Sequence, residues 1–286
     1  MGENKMSILN NFFTRNTFHH CFQDGKARFY EAVIRQYIND YEGKPNADLI
    51  SKIYSIMHMN YRNEYYYKNT LFNKLVLGVH SLKTTTALTE LPVGDSKADF
   101  IMINGKAVVY EIKTELDNFC RLTKQLEDYY RAFDHVAVIT CKEKVSELEN
   151  IVKEMELPIG IYILQKNDAI KTICKPRRFT DRIDLKIIFS ILRKTEYENI
   201  LKNQYGELPI VSDFEYYSVC EDMFKKIPLQ RAYDLFLQQL KKRVRHLDIK
   251  IKEIPYELKS LAYFMQMGKK EYFMATEFLN SCYQGG

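Results

Sequence analysis

The sequence predicts an α/β fold. The core is ordered α-β-β-β-α-β with a further α-β step, preceded by helices and followed by an all-α region. Three observations carry that reading. Asn104-Gly105 separates two apolar alternating runs, DFIMI and AVVYEIK, which is a strong hairpin signal. Two continuous apolar runs, HVAVIT at 135–140 and IGIYIL at 159–164, flank a helical period, as buried strands do. From Asp181 onward strand patterns stop and only helical periods remain.

In chain order, helices are predicted over 27–39 and 47–58, broken by Gly43-Lys44-Pro45-Asn46. A helix over 62–79 is expected to turn Leu71, Leu75 and Val79 inward. Strands follow at 86–91, 97–103 and 107–114. The stretch 118–133, NFCRLTKQLEDYYRAF, places Phe119, Leu122, Leu126 and Phe133 on one helical stripe. A strand at 135–140, a helix at 144–155 and a strand at 159–164 complete the core. Amphipathic helices then read over 181–201, 213–227, 228–244, 255–265 and 269–282, with Pro228 and Pro255 suited to helix starts. The expected division is a helical segment over 1–60, an α/β core over 61–178 and an all-α accessory domain over 179–286. That last region carries many aromatics, including Tyr216, Tyr217, Tyr233, Phe236, Tyr263, Phe264, Tyr272 and Phe273. At helical spacing they read as core more readily than as stacking platforms for nucleobases. It suits DNA binding, a protein partner or homo-oligomerisation.

The hairpin also carries chemistry. Asp99 lies on its first strand, and Glu111 and Lys113, two apart, share a face of the second. Mg²⁺ takes oxygen ligands and is held by one or two carboxylates together with water and phosphate. An ammonium beside it can stabilise developing negative charge. Register decides whether the acids meet. A two-residue turn pairs Ile103 with Lys106 and turns Asp99 and Glu111 to opposite faces. A three-residue loop pairs Ile103 with Ala107 and sets Asp99 opposite Glu111, and a bulge would also repair the register, so a nuclease reading requires one of these two geometries. On the following helix, Arg121, Gln125 and Tyr129 recur at i, i+4 and i+8 and so line one flank.

The pattern D-x(11)-E-x-K followed by Q-x-x-x-Y resembles the PD-(D/E)XK nuclease superfamily, in its RecB-type branch. Through NEYYYKN, HSLKTTTALTE, SKADF, YEIKTELDNFCRL, QLEDYY and HVAVIT, the chain is similar to a small, mostly uncharacterised family of bacterial and prophage proteins. The similarity covers roughly 61–169. The superfamily's proline is absent, since Ala98 precedes Asp99. The resemblance implies a restriction-endonuclease-like core, Mg²⁺ or Mn²⁺ as cofactor, and Asp99, Glu111, Lys113, Gln125 and Tyr129 as catalytic residues. It also implies Glu64 as a further acid beside the metal ligands Asp99 and Glu111. Glu90, ending the first strand, is a fourth candidate ligand. Asp117 and Arg121 match family positions whose roles are open. His80, at a helix end, reads as a capping residue more readily than as a ligand, and His19-His20 as surface.

Composition bounds the rest. At 286 residues, 46% hydrophobic and 28% charged, the chain can bury a sizeable core. No apolar run reaches membrane-spanning length and the first residues lack a signal-peptide core, so a cytoplasmic protein without membrane contact is expected. Six scattered cysteines lack ligand spacing, which argues against an iron–sulfur cluster. The net charge of +5 is uneven, −1 over the first 170 residues and +6 from Lys171 onward. Basic clusters at Lys175, Arg177, Arg178 and Arg182, and at Lys241, Lys242, Arg243, Arg245 and His246, suit a phosphate backbone or a solvated helix face. Two functions are therefore in view. One is a metal-dependent deoxyribonuclease serving phage, mobile-element or defence biology. The other is a catalytically silent module of the same fold that binds nucleic acid or protein as a regulator.

Overall fold

A computed structural model describes residues 8–24, 28–244 and 251–284. The chain forms a mixed α/β structure of two compact units, residues 83–244 and residues 1–82 with 245–286.

The α/β unit is built on one six-stranded sheet in the order β1-β2-β3-β4-β5-β6. Its strands are β1 (Thr86–Val93), β2 (Ser96–Asn104), β3 (Lys106–Lys113), β4 (Val136–Thr140), β5 (Gly160–Leu164) and β6 (Ile170–Cys174). β1, β2 and β3 form an antiparallel meander. β3, β4 and β5 run parallel, and β6 returns antiparallel. Every residue of β4 is buried, which is why its sequence is a continuous apolar run rather than an alternating one.

The five predicted strands are all present, and β6 is an addition. It is exposed at nearly every position, so it carries no burial pattern for sequence reading to detect. The long helix predicted after the hairpin is shorter, Leu122–Tyr130, but the expected stripe of Phe119, Leu122, Leu126 and Phe133 is buried as a set.

The expected three-part division is corrected by the helices after β6. In the order they follow, Leu185–Ile191, Lys194–Tyr205, Asp213–Lys225 and Leu229–Lys242 do not form a separate domain. Ile188, Phe189, Leu201 and Phe236 join Val109, Phe133 and Val136 in a single hydrophobic core on one face of the sheet. Phe133 and Phe236 have ring centroids 5.6 Å apart. Amphipathic sequence fixes which face a helix buries, not which element receives it.

The helical unit joins the chain's two ends. Asn46, at the start of helix Asn46–Asn60, donates to the carbonyls of Phe278 (3.0 Å) and Ser281 (3.1 Å). Tyr283 N–H donates to Lys44 O at 2.8 Å. Tyr263 packs on Phe72 with centroids 4.7 Å apart. The predicted helix over 62–79 is α-helical over Glu64–Leu71 and widens into π turns over Phe72–Val79, ending with His80 N–H on Leu75 O at 3.2 Å. The wider turn rotates the face, so Leu71 and Val76 are buried while Val79, expected inside, is 69% exposed. Arg245 and His246 of the second basic cluster, and Ala27 of the first predicted helix, lie outside the described residues.

Candidate functional site

The site begins with the register of the β2–β3 hairpin. Gly105 takes a left-handed φ of +70° at the turn, and Ile103 pairs with Ala107. This is the three-residue geometry. The ladder stops at Phe100–Tyr110, and its next step sets Asp99 opposite Glu111. Ile101, Ile103, Ala107 and Val109 on that face all lie in the core cluster, so Asp99, Glu111 and Lys113 emerge on the same face. Asp99 Oδ2 accepts the Ile112 N–H at 2.8 Å, where the ladder ends.

A second irregularity sits beside it. In β1, Thr89 pairs with Phe100 and Leu91 with Ala98, which leaves Glu90 opposite Asp99. Glu90 has a φ of +57°, a left-handed conformation rarely adopted by a side-chain-bearing residue in mid-strand. Leu88 before it and Leu91 and Val93 after it all join the same core cluster, so side-chain alternation slips by one residue there. A carboxylate oxygen of Glu90 and one of Asp99 lie within 4.8 Å of each other. Glu90 also pairs with Lys97.

Lys113 connects the strand to the helix above it. Its Nζ donates to Glu111 Oε1 at 2.8 Å and to Gln125 Oε1 at 2.9 Å. The other carboxylate oxygen, Glu111 Oε2, lies 2.6 Å from the Tyr129 hydroxyl, which is also 2.9 Å from Lys97 O. Glu111 is 1% exposed and Tyr129 is fully buried. Burial first, then the Glu111 and Asp99 carboxylates, push the Tyr129 hydroxyl far above its ordinary value, so it stays protonated and serves as a donor. The spacing of Gln125 and Tyr129 on one helical flank thus puts both on the Glu-x-Lys strand.

Asp128, which sequence reasoning did not single out, holds that helix in place. It is 3% exposed, accepts the Ser96 hydroxyl at 2.6 Å and lies 3.5 Å from Lys124 Nζ. A side chain at Gly94 (φ +60°) would place Cβ 2.9 Å from Asp128 Oδ1, so the β1–β2 turn approaches the helix as only glycine can. Asp117 closes the turn after β3, accepting both the N–H and the hydroxyl of Thr114 at 2.7 Å.

Glu64 opens helix Glu64–Leu71 of the helical unit and pairs with Lys68. His80 ends the π turns of that unit. Arg121 is exposed at the start of helix Leu122–Tyr130. Arg177, Lys241 and Lys242 are exposed, whereas Arg178 donates to Asp134 Oδ2 at 3.2 Å. Arg243 departs from its expected phosphate-binding role. Its guanidinium donates to Glu196 at 2.7 and 2.6 Å and to Ile191 O at 2.7 Å, with 8% of the side chain exposed. It is a clasp between helices.

Residues 57–253 match the family model for bacteriophage P4 protein cII. The chain belongs to the bacteriophage P4 protein cII family. All six strands and every site residue from Glu64 to Arg243 fall within the match. Protein cII of Enterobacteria phage P4 is 26% identical over 167 residues, covering 57% of this chain and 61% of that protein. The chain therefore spans less than two thirds of that relative's length. No solved structure matches the chain. The phage association expected from the sequence is supported at the level of the family. No helix among the described residues is long and apolar enough to cross a membrane.

Proposed function

We propose that this protein is a Mg²⁺- or Mn²⁺-dependent nuclease that hydrolyses phosphodiester bonds, with DNA as substrate, on a restriction-endonuclease-like PD-(D/E)XK core. The reading rests on one observation. Asp99, Glu111 and Lys113 share a face of the hairpin, with Lys113 held between Glu111 and Gln125.

The donor set suits a hard cation. Glu90 and Asp99 offer carboxylate oxygens within 4.8 Å of each other, and hard divalent cations take oxygen ligands. When bound, such an ion neutralises phosphate charge and lowers the pKa of a water. The protein's own groups do the rest. Asp99 and Glu90 would hold the ion. Glu111 is oriented by Tyr129 and completes the acidic set. Lys113 places its positive charge where the scissile phosphate gains negative charge, and Gln125 fixes its direction. Arg121, Arg177, Lys241 and Lys242 are free of burial and suit contact with the phosphate backbone.

One observation favours the second reading, a silent binding module of the same fold. Both Glu111 oxygens are already engaged, by Lys113 and Tyr129, in a nearly inaccessible position. Calorimetric titration with Mn²⁺ tests the metal site. Wild type and Lys113→Met are expected to bind Mn²⁺, and Asp99→Asn is expected to lose it. Equal binding by Asp99→Asn would place any metal elsewhere, and no binding by wild type would favour the silent module.

A further inference from the structure

On the α/β unit, Ile210 is 100% exposed and Phe214 is 97% exposed. Ile210 lies just before helix Asp213–Lys225, and Phe214 occupies its first turn. Tyr217, 47% exposed, follows Phe214 at i+3 and so continues the same helical face. Large apolar side chains held fully in water, rimmed by polar groups, mark interaction surfaces.

The rim is acidic. From Gly206 to Phe224 the chain has five carboxylates and no lysine or arginine, although the protein carries +5 overall. Glu207, Asp213 and Glu215 flank the apolar residues and are exposed. Of the cations beyond this run, Lys225 is engaged by Glu221 and Asp222 at 2.9 Å, and Lys194 lies over the Tyr216 ring at 5.0 Å. This charge pattern rejects a phosphate backbone, so the exposed aromatics do not serve as stacking platforms for nucleobases. A two-fold contact between copies would set this acidic rim against the same acidic rim of the second copy, a like-charge arrangement.

We propose that this face docks a basic amphipathic helix of a partner protein, whose apolar stripe covers Ile210, Phe214 and Tyr217 while flanking lysines or arginines meet Glu207, Asp213 and Glu215. The surface belongs to none of the elements that build the hydrolytic site, and it stands whether or not the protein cleaves DNA.

The test uses the ¹⁵N-labelled 286-residue protein and three probes: an 18-residue Leu/Ala/Lys amphipathic peptide, its Leu/Ala/Glu counterpart and a DNA duplex. The Lys peptide is expected to shift amides of 206–222 saturably. Its affinity should fall about tenfold between low and moderate salt, as screening of surface charge requires. The double variant Ile210→Ser with Phe214→Ser removes only exposed apolar surface, so its melting temperature should hold while the shifts fall at least fivefold. Equal binding of the Glu peptide would overturn the proposal, as would peptide shifts that survive the double variant or no saturable shift at 206–222. So would duplex-induced shifts on this face, or a concentration-dependent dimer that the double variant abolishes.

Discussion

Replacing Tyr129 with phenylalanine removes one buried hydroxyl from the site. The ring is fully buried and stays in place, so no cavity forms. What disappears is the hydroxyl 2.6 Å from Glu111 Oε2 and 2.9 Å from Lys97 O, and the charged acceptor dominates the loss. Hydrogen bonds to a charged group contribute ~1.5–3 kcal/mol. Glu111 keeps its 2.8 Å contact with Lys113, so it is not stranded as an unpaired buried charge, and ~2 kcal/mol is the expected cost. For a unit the size of residues 83–244, that corresponds to a melting temperature lowered by roughly 4–8 °C. Thermal melts monitored by circular dichroism at neutral pH measure it. Repeating the substitution in a Glu111→Gln background forms a double-mutant cycle, and the effect should fall to less than half because the charged acceptor is gone. A shift below about 1 °C would refute the reasoning, as would equal shifts in both backgrounds.

Other consequences can be checked alongside. Arg243→Met should cost roughly 3–5 kcal/mol in chemical denaturation, because it strands buried Glu196, while Lys241→Ala with Lys242→Ala should leave the melt unchanged. Gln125→Ala, which frees Lys113 Nζ from one acceptor, is expected to slow cleavage with little loss of stability. An unchanged rate would make Gln125 a bystander. Stability should decline with acid. Burial raises Asp134, but hydrogen bonds from His135, Tyr233 and Arg178 outweigh it and leave the carboxyl below its ordinary value. Arg243 does the same for Glu196. Both groups then contribute stability above their unfolded values near about pH 4, and lose it as pH falls through the lower folded values. A melting temperature that stays flat from neutral pH to below about pH 3 would contradict this assignment.

The sequence made the sheet largely legible because burial writes itself into pattern. Fully buried β4 is a solid apolar run, and the hairpin alternates around Asn104-Gly105. The spacing of Glu111 and Lys113, and of Gln125 and Tyr129, foretold which side chains meet, since periods of two and of about four fix faces locally. The sequence leaves register open among a two-residue turn, a three-residue loop and a bulge, and the pairing of Ile103 with Ala107 selects the loop. Partners distant in sequence left no trace. Asp128 finds Ser96 from 32 positions away and Arg243 finds Glu196 from 47, so the first looked like one more helix-surface acid and the second like part of a basic cluster. Exposed β6 and the π turns of Phe72–Val79 escaped for a related reason, because neither follows the periodicity that sequence reading relies on.

The Asp99–Glu111–Lys113 site is proposed to hydrolyse phosphodiester bonds with a divalent ion. The most direct test incubates supercoiled plasmid and linear duplex with the purified protein in Mn²⁺, Mg²⁺ or EDTA, beside Lys113→Met purified identically. Cleavage is expected by the wild type in Mn²⁺ or Mg²⁺, with none in EDTA and none by Lys113→Met despite an intact fold. Equal cleavage by the two proteins, or none by the wild type with either metal, would contradict it.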